Sequence, residues 1–456
     1  MKRKVISMAL ALCLLMPVVG CGGNEGNYIK EEPDYSSYEN TLQMHIGGWV
    51  SPPPAQKEGD TDYCTQENYD DIADFGINTI YGLYEPWGLT VDGKNANERA
   101  LGYAEKAGIG FYIRDFAAGV ALQEADQATF DEVFGKYLEY DSFAGIMATD
   151  EPSTAAFAEI AAMRKGWDKF IPEKDFYVNL FPTYAMPNQL GISESENYRE
   201  NYVRRFLDET GVKFLSYDHY PLLVDGWGNG SLTVDYLFNL EVCAEEARDA
   251  GVPFWTFLQA MSYDNATRCP TEQELRWQVL CSMAFGAQGY QYFCYWTPPG
   301  QGDNVAKSAC VTEYGEKTPV WYAGQKINRE ILNFDHVYLN YEWQGLMPVL
   351  GGENTKNKLY NMMEHPLESI DRIRSVKSDQ DVIVGAFKDN ADNDAFMVVN
   401  FSDPGENKAC TAEIEMKGVS SAVVYMNGER NVAEAKGGKL TLEMEAGNGA
   451  FIIPLQ

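Results

Sequence analysis

The stretch GIMATDEPST (145–154) opens as an apolar run and closes on two adjacent acids and a proline. Residues 145–148 read as a short buried strand. Pro152 has no place inside a sheet but suits the first turn of a helix. It also turns Glu151 away from helical angles. Asp150 and Glu151 are therefore expected where a strand has ended and a helix has not yet begun. Acids at such a junction either start the helix, with Asp150 as its cap and Glu151 favoured by the dipole, or belong to a site at the strand end.

Outward from this stretch the same beat recurs. Strands are expected at 42–50, 77–85, 108–116, 142–151, 175–183, 212–220, 252–260 and 288–296. Their starts are spaced by roughly 30 to 40 residues, the size of a βα unit. Helical stretches lie between them. TQENYDDIADFG opens on Thr65 as N-cap and closes on Gly76, LFNLEVCAEEARDAG closes on Gly251, and a helix starts at Pro270 and Thr271. Eight such units predict an α/β fold, a (β/α)8 TIM barrel over 41–345, in preference to a doubly wound open sheet. From 368 to 456 the texture changes to short apolar runs separated by Asn, Asp and Gly turns, which predicts a small all-β sandwich. Residues 340–375 read as a linker or a first strand.

The 456-residue chain is 45% hydrophobic, enough for a large core and a second, smaller domain. A formal charge of -31 argues against nucleic acid or an anionic membrane surface as partner. The start, MKRK, is basic, and VISMALALCLLMPVV is an apolar run of signal-peptide length ending in VVGC. This is similar to the lipobox of bacterial lipoproteins. It implies removal of residues 1–20, a lipid anchor on Cys21, a flexible tether over 21–40, and a place on the outward face of the bacterial cell envelope. The remaining cysteines are odd in number with no CxxC pair, and the four histidines are scattered, so neither a disulfide framework nor a metal site is expected. No cofactor is expected either.

In a barrel of this type the C-terminal strand ends carry the chemistry. The candidates there are His45 and Trp49 on the first strand, Glu85 on the second and Arg114 on the third. Asp150 and Glu151 follow on the fourth, Asn179 on the fifth, and Tyr217, Asp218 and Tyr220 on the sixth. Gln259 ends the seventh and Tyr292 and Trp296 the eighth. Aromatics that stack on sugar rings, with carboxylates and amides for hydroxyls, suit a carbohydrate. Two carboxyl groups can cleave a glycosidic bond if one stays protonated, and the charge of Asp150 would raise the pKa of Glu151. The expected function is a glycoside hydrolase with Glu151 as proton donor and Asp150 and Asp218 as further catalytic groups. The alternative is a lipid-anchored glycan-binding protein whose barrel has lost catalysis.

DEP on the fourth strand, SYDHYP on the sixth and TEQELRWQVLCSMAFGAQGYQYFCYWTPP into the eighth resemble the barrel glycoside hydrolases of gut bacteria. These are often described as β-galactosidase-like and carry a small C-terminal β domain. The resemblance covers about residues 41–335. It implies a nucleophilic Glu at the end of the seventh strand, where this chain has Gln259, and an amide cannot be that nucleophile. Three mechanisms stay open: another rim acid such as Asp218 serves, water is activated with inversion, or the substrate's own acetamido group attacks. The adjacent Asp-Glu pair is similar to that of substrate-assisted hexosaminidases, and SYD to the Tyr-Asp of chitinase-like barrels. On that resemblance Asp150 is the polariser, Glu151 the acid/base, and Tyr217 or Asp218 an added stabiliser.

Overall fold

The computed structural model describes residues 29–35, 42–124, 126–224, 231–299, 309–351 and 359–456. Cys21 and the lipobox-like stretch lie outside them. Eight parallel strands close into a barrel: β1 (His45–Trp49), β2 (Thr79–Tyr81), β3 (Gly110–Ile113), β4 (Phe143–Asp150), β5 (Asp175–Leu180), β6 (Leu215–Tyr217), β7 (Phe254–Gln259) and β8 (Gly289–Phe293). β8 pairs back onto β1 with His45 opposite Gly289, so no edge remains. Each strand is built where the apolar runs predict it.

Local chemistry sets the intervening helices. Thr65 caps Gln66–Phe75, and that helix ends on Gly76 at φ 98°, a conformation that excludes most side chains. Thr271 and Glu274 form a reciprocal capping box at the start of Glu272–Ala284.

Alternation along the strands sends one set of side chains inward. Toward the N-terminal end His45 stacks on Trp255 with ring centres 3.7 Å apart. In the middle Tyr81 and Tyr112 stack at 5.0 Å, and the Tyr81 and Tyr177 hydroxyls both donate to Gln291 Oε1. Gln291 Nε2 donates to Ser216 Oγ (3.0 Å), and Ser216 Oγ donates to Asn179 Oδ1 (3.0 Å). A polar ladder thus climbs through a buried core to the barrel mouth.

The C-terminal β domain begins earlier than position 368. Tyr341–Val349 is the edge of a six-stranded antiparallel sheet and pairs with Val382–Asp389. A three-stranded sheet, Ile373–Ser378, Cys410–Met416 and Lys439–Met444, covers one face of it. Along Val382–Asp389, Val382, Val384 and Ala386 fill the core between the sheets, while Ile383 and Phe387 join the barrel's core. Both faces of the large sheet are therefore buried.

Residues 29–35, inside the stretch expected to be a flexible tether, lie against this domain. Glu32 accepts from Tyr425 Oη and Arg430, and Tyr35 Oη donates to Asp389 (3.0 Å). Among the described residues no helix is long and apolar enough to cross a membrane.

Candidate active site

The junction at 145–154 is shaped by its neighbour β5. The β4–β5 register shifts between Met147 and Thr149, a bulge that re-aims the end of the strand. Asp150 is the last residue of β4 and pairs with Asn179. The Glu151 N–H donates to the Asn179 carbonyl (2.8 Å), and Glu151 sits at φ 46°. A glutamate in this left-handed region is uncommon and persists only where its surroundings hold it. Pro152 does not open the helix. A 3₁₀ turn, Thr154–Ala156, leads into the helix Phe157–Phe170, and neither Ser153 nor Ala156 caps with a side chain. The two acids are thus not helix caps, which corrects the simpler of the two expectations for this stretch.

A cleft of about 330 Å³ opens at this end of the barrel. Asp150, Glu151, Asn179 and Asp218 line it with Trp49, Tyr184, Tyr220, Phe257, Tyr263 and Phe293. Asn179 Nδ2 donates to both Asp150 Oδ1 (3.2 Å) and Asp218 Oδ1 (2.9 Å). The Glu151 and Asp218 carboxyls lie close enough to shift one another's protonation. Three carboxyl groups from two strands therefore form one connected cluster, oriented by an amide that Ser216 holds from below.

Their protonation follows from crowding and burial. Burial, then the charge of Asp150, pushes Glu151 up to about 7, against the hydrogen bond from Asp218. Burial raises Asp150 to about 6, opposed by the Asn179 amide and the positive field of Arg114. Asp218, only 3% exposed, is held well above the usual carboxylate range by burial and by both neighbouring acids. Burial and mutual repulsion therefore keep protons on the cluster to higher pH than on exposed carboxyls, and Asp150 gives its proton up more readily than Glu151.

Of the predicted site residues, the fold brings Glu151, Asp150, Asp218, Trp49, Asn179 and Tyr220 together in the cleft. Arg114 stands at the rim beside Asp150. Six others are elsewhere. His45 is buried low in the barrel, bonded to Tyr81 Oη, with its pKa depressed by burial to about 3. Glu85 is buried behind β1, accepting from Ser51 Oγ, and burial raises it to about 7. Tyr217 and Tyr292 point outward from their strands toward the helices, Tyr217 near Phe254 and Tyr292 donating to Asn328 Oδ1 (2.7 Å). Gln259 is fully buried: its amide accepts from Leu222 N and donates to the carbonyls of Leu222 and Arg268. Trp296 is buried beside Tyr63.

Phe257, Tyr263 and Phe293 line the cleft although the sequence did not single them out, and Tyr184 reaches it from beyond the end of β5. Phe257 and Phe293 share strand parity with Trp255 and Gln291, so alternation would have found them. Tyr263 lies in the loop after β7, where no periodicity applies.

No family model matches the chain, and no curated protein matches it. Among solved structures it is similar to an α-amylase from Anoxybacillus (10% identity, 91% of this chain and 98% of that one, TM-score 0.48). It is similar to a glucosidase from Croceicoccus marinus (11% identity, 91% and 96%, TM-score 0.42). It is also similar to an endo-β-1,4-mannanase from Thermotoga petrophila (11% identity, 89% and 98%, TM-score 0.38). All three are glycoside hydrolases. Every one of these TM-scores is below 0.5, so the barrel rests on its own strand pairing and the chemistry of the mouth on its own residues.

Proposed function

We propose that the protein is a glycoside hydrolase in which Glu151 gives its proton to the departing glycosidic oxygen. The observation that carries this reading is the connected cluster of Asp150, Glu151 and Asp218 in an aromatic-lined cleft, with Glu151 held protonated to about pH 7. A general acid works best with its pKa near the working pH. The aromatic walls suit the C–H faces of a sugar ring, and Asn179 suits a hydroxyl.

The second group follows from what is close and what is tied up. A carboxylate nucleophile sits about 5–5.5 Å from the acid across the sugar ring. Asp218 lies against Glu151 instead, and burial and the two neighbouring acids hold its carboxyl well above the usual carboxylate range. Gln259 is an amide locked into backbone contacts. This supports a substrate that brings its own nucleophile, a 2-acetamido group. Its carbonyl oxygen attacks the anomeric carbon as the glycosidic C–O bond breaks and Glu151 protonates the leaving oxygen. Ionised Asp150 orients the acetamido N–H and stabilises its developing charge. Water then opens the oxazoline, giving its proton to Glu151.

A panel of aryl glycosides and glycans tests this. Glu151→Gln is expected to lower turnover by about 10³-fold or more with the fold intact. Asp150→Asn is expected to lose most on N-acetylated substrates. Equal losses on substrates without the acetamido group would remove substrate assistance. Binding without turnover, indifferent to Glu151→Gln, would make the protein a glycan-binding barrel instead.

The lipobox-like VVGC stretch supports a place for this activity on the outward face of the cell envelope, anchored through Cys21. Cys21→Ala is expected to move the protein from the membrane to the soluble fraction, and membrane retention of that variant would refute the anchor.

A further inference from the structure

Beside the cleft, over β2 and β3, the rim carries a second surface. Trp87 and Phe116 are 50% and 59% exposed, and their rings meet edge to face with centres 5.2 Å apart. Soluble proteins leave two such rings in water together mainly where something covers them. The Arg114 guanidinium lies 5.8 Å from the Trp87 ring centre and 6.0 Å from that of Phe116.

Arg114 differs from its kind elsewhere in the chain. Every other described arginine is ion-paired with a carboxylate, from Arg99 with Asp62 to Arg430 with Glu32. Arg114, among the described residues, has no ion pair and no side-chain hydrogen bond, in a chain of net charge -31 with acids in excess. Its neighbour Asp115 is turned away, accepting from Tyr137 Oη (2.7 Å) and Ala117 N (2.9 Å). The field of Arg114 does reach Asp150 inside the cleft, so the two sites are adjacent. A partly covered guanidinium with five unassigned donors is a fork for a planar or tetrahedral anion.

We propose that Trp87, Arg114 and Phe116 form the neighbouring sugar subsite, and that it selects a ring carrying an anionic group, a carboxylate or a sulfate. The rings take the apolar face of the sugar while Arg114 pairs with its charge. The proposal rests on the glycosidase reading for its placement next to the cleaved bond. The overall acidity of the protein does not oppose it, because charges beyond about 8 Å are largely screened at physiological salt whereas a direct Arg–anion pair is screened far less. The substrate class is then an acidic glycan, a uronate-containing or sulfated oligosaccharide.

Binding to the full chain carrying Glu151→Gln, measured by calorimetry, tests the subsite without relying on turnover. The probes are a hyaluronan tetrasaccharide for the carboxylate, a chondroitin sulfate tetrasaccharide for the sulfate, and N,N′-diacetylchitobiose as the neutral control. At least one anionic probe is expected to bind about tenfold or more tighter than the neutral one. Adding Arg114→Met is expected to remove that advantage while leaving the neutral probe within about twofold, and Arg114→Lys to restore part of it. The advantage is expected to shrink from about 50 to about 300 mM sodium chloride. Which anionic probe responds separates carboxylate from sulfate. No preference for either anion, no binding of any probe, or equal losses on all three probes in Arg114→Met overturns the subsite. Anionic preference in a protein that hydrolyses nothing leaves the subsite standing and removes the hydrolase. Hydrolysis without anionic preference does the reverse.

Discussion

Asp150 and Glu151 adjoin in sequence but do different work because their surroundings differ. Asp150 is fed by an amide and by the field of Arg114, while Glu151 faces Asp150 and Asp218. If Glu151 must hold its proton, activity falls as pH rises past about 7; if Asp150 must be ionised, it falls as pH drops below about 6. A bell-shaped plot of kcat/KM against pH with limbs at those values is expected, and a flat profile through that range would contradict both roles. The same groups cost stability. A carboxyl whose folded pKa is raised binds its proton more tightly in the native state, so its stabilisation is present below the unfolded pKa and lost as pH rises through the folded one. Asp218→Asn is therefore expected to abolish most activity yet raise Tm by about 1–3 °C at pH 8, with a smaller gain near pH 4. A lower Tm at pH 8 would show that Asp218 is held by more than the structure records.

At the scale of elements, Gln259 ends β7 where a nucleophile is expected by resemblance, and instead it fastens the segment after β6. Its amide satisfies both backbone groups of Leu222 and the carbonyl of Arg268. That segment follows directly on Asp218 and Tyr220. Gln259→Ala leaves these buried groups unpaired at about 1–3 kcal/mol each, and is expected to lower both Tm and turnover. Gln259→Glu is expected to give no new hydrolytic activity, since a carboxylate there cannot donate to the two carbonyls and is held away from the cleft. A gain in turnover on that substitution would restore the seventh-strand nucleophile. How the strand ends aim their side chains was partly legible: Trp49, Asn179 and Tyr220 follow from strand position and type alone. His45, Tyr217 and Tyr292 do not, because depth and parity within a strand depend on where its pairing begins.

For the whole molecule, the barrel and the β domain share one core. Phe451 packs edge-on against Tyr338 and Tyr341, both with ring centres 5.5 Å away, and Phe334 stacks on Tyr425 at 5.3 Å. Phe451→Ala is expected to cost about 3–5 kcal/mol and to lower a single thermal transition, measured by calorimetry. Two separated transitions would show that the domains unfold independently.

By itself the sequence determined the eight-unit barrel, the appended β domain and the position of the paired acids. Those depend on the spacing of apolar runs and on Thr, Gly and Pro at element ends, all local to the chain. Only the tertiary structure decided that Asp218 and Glu151 are brought together, that Asn179 serves two carboxylates, and that Arg114, among the described residues, has no ion pair. These facts join residues from different strands, and the charge state of each acid depends on burial and neighbours that exist only once the barrel has closed.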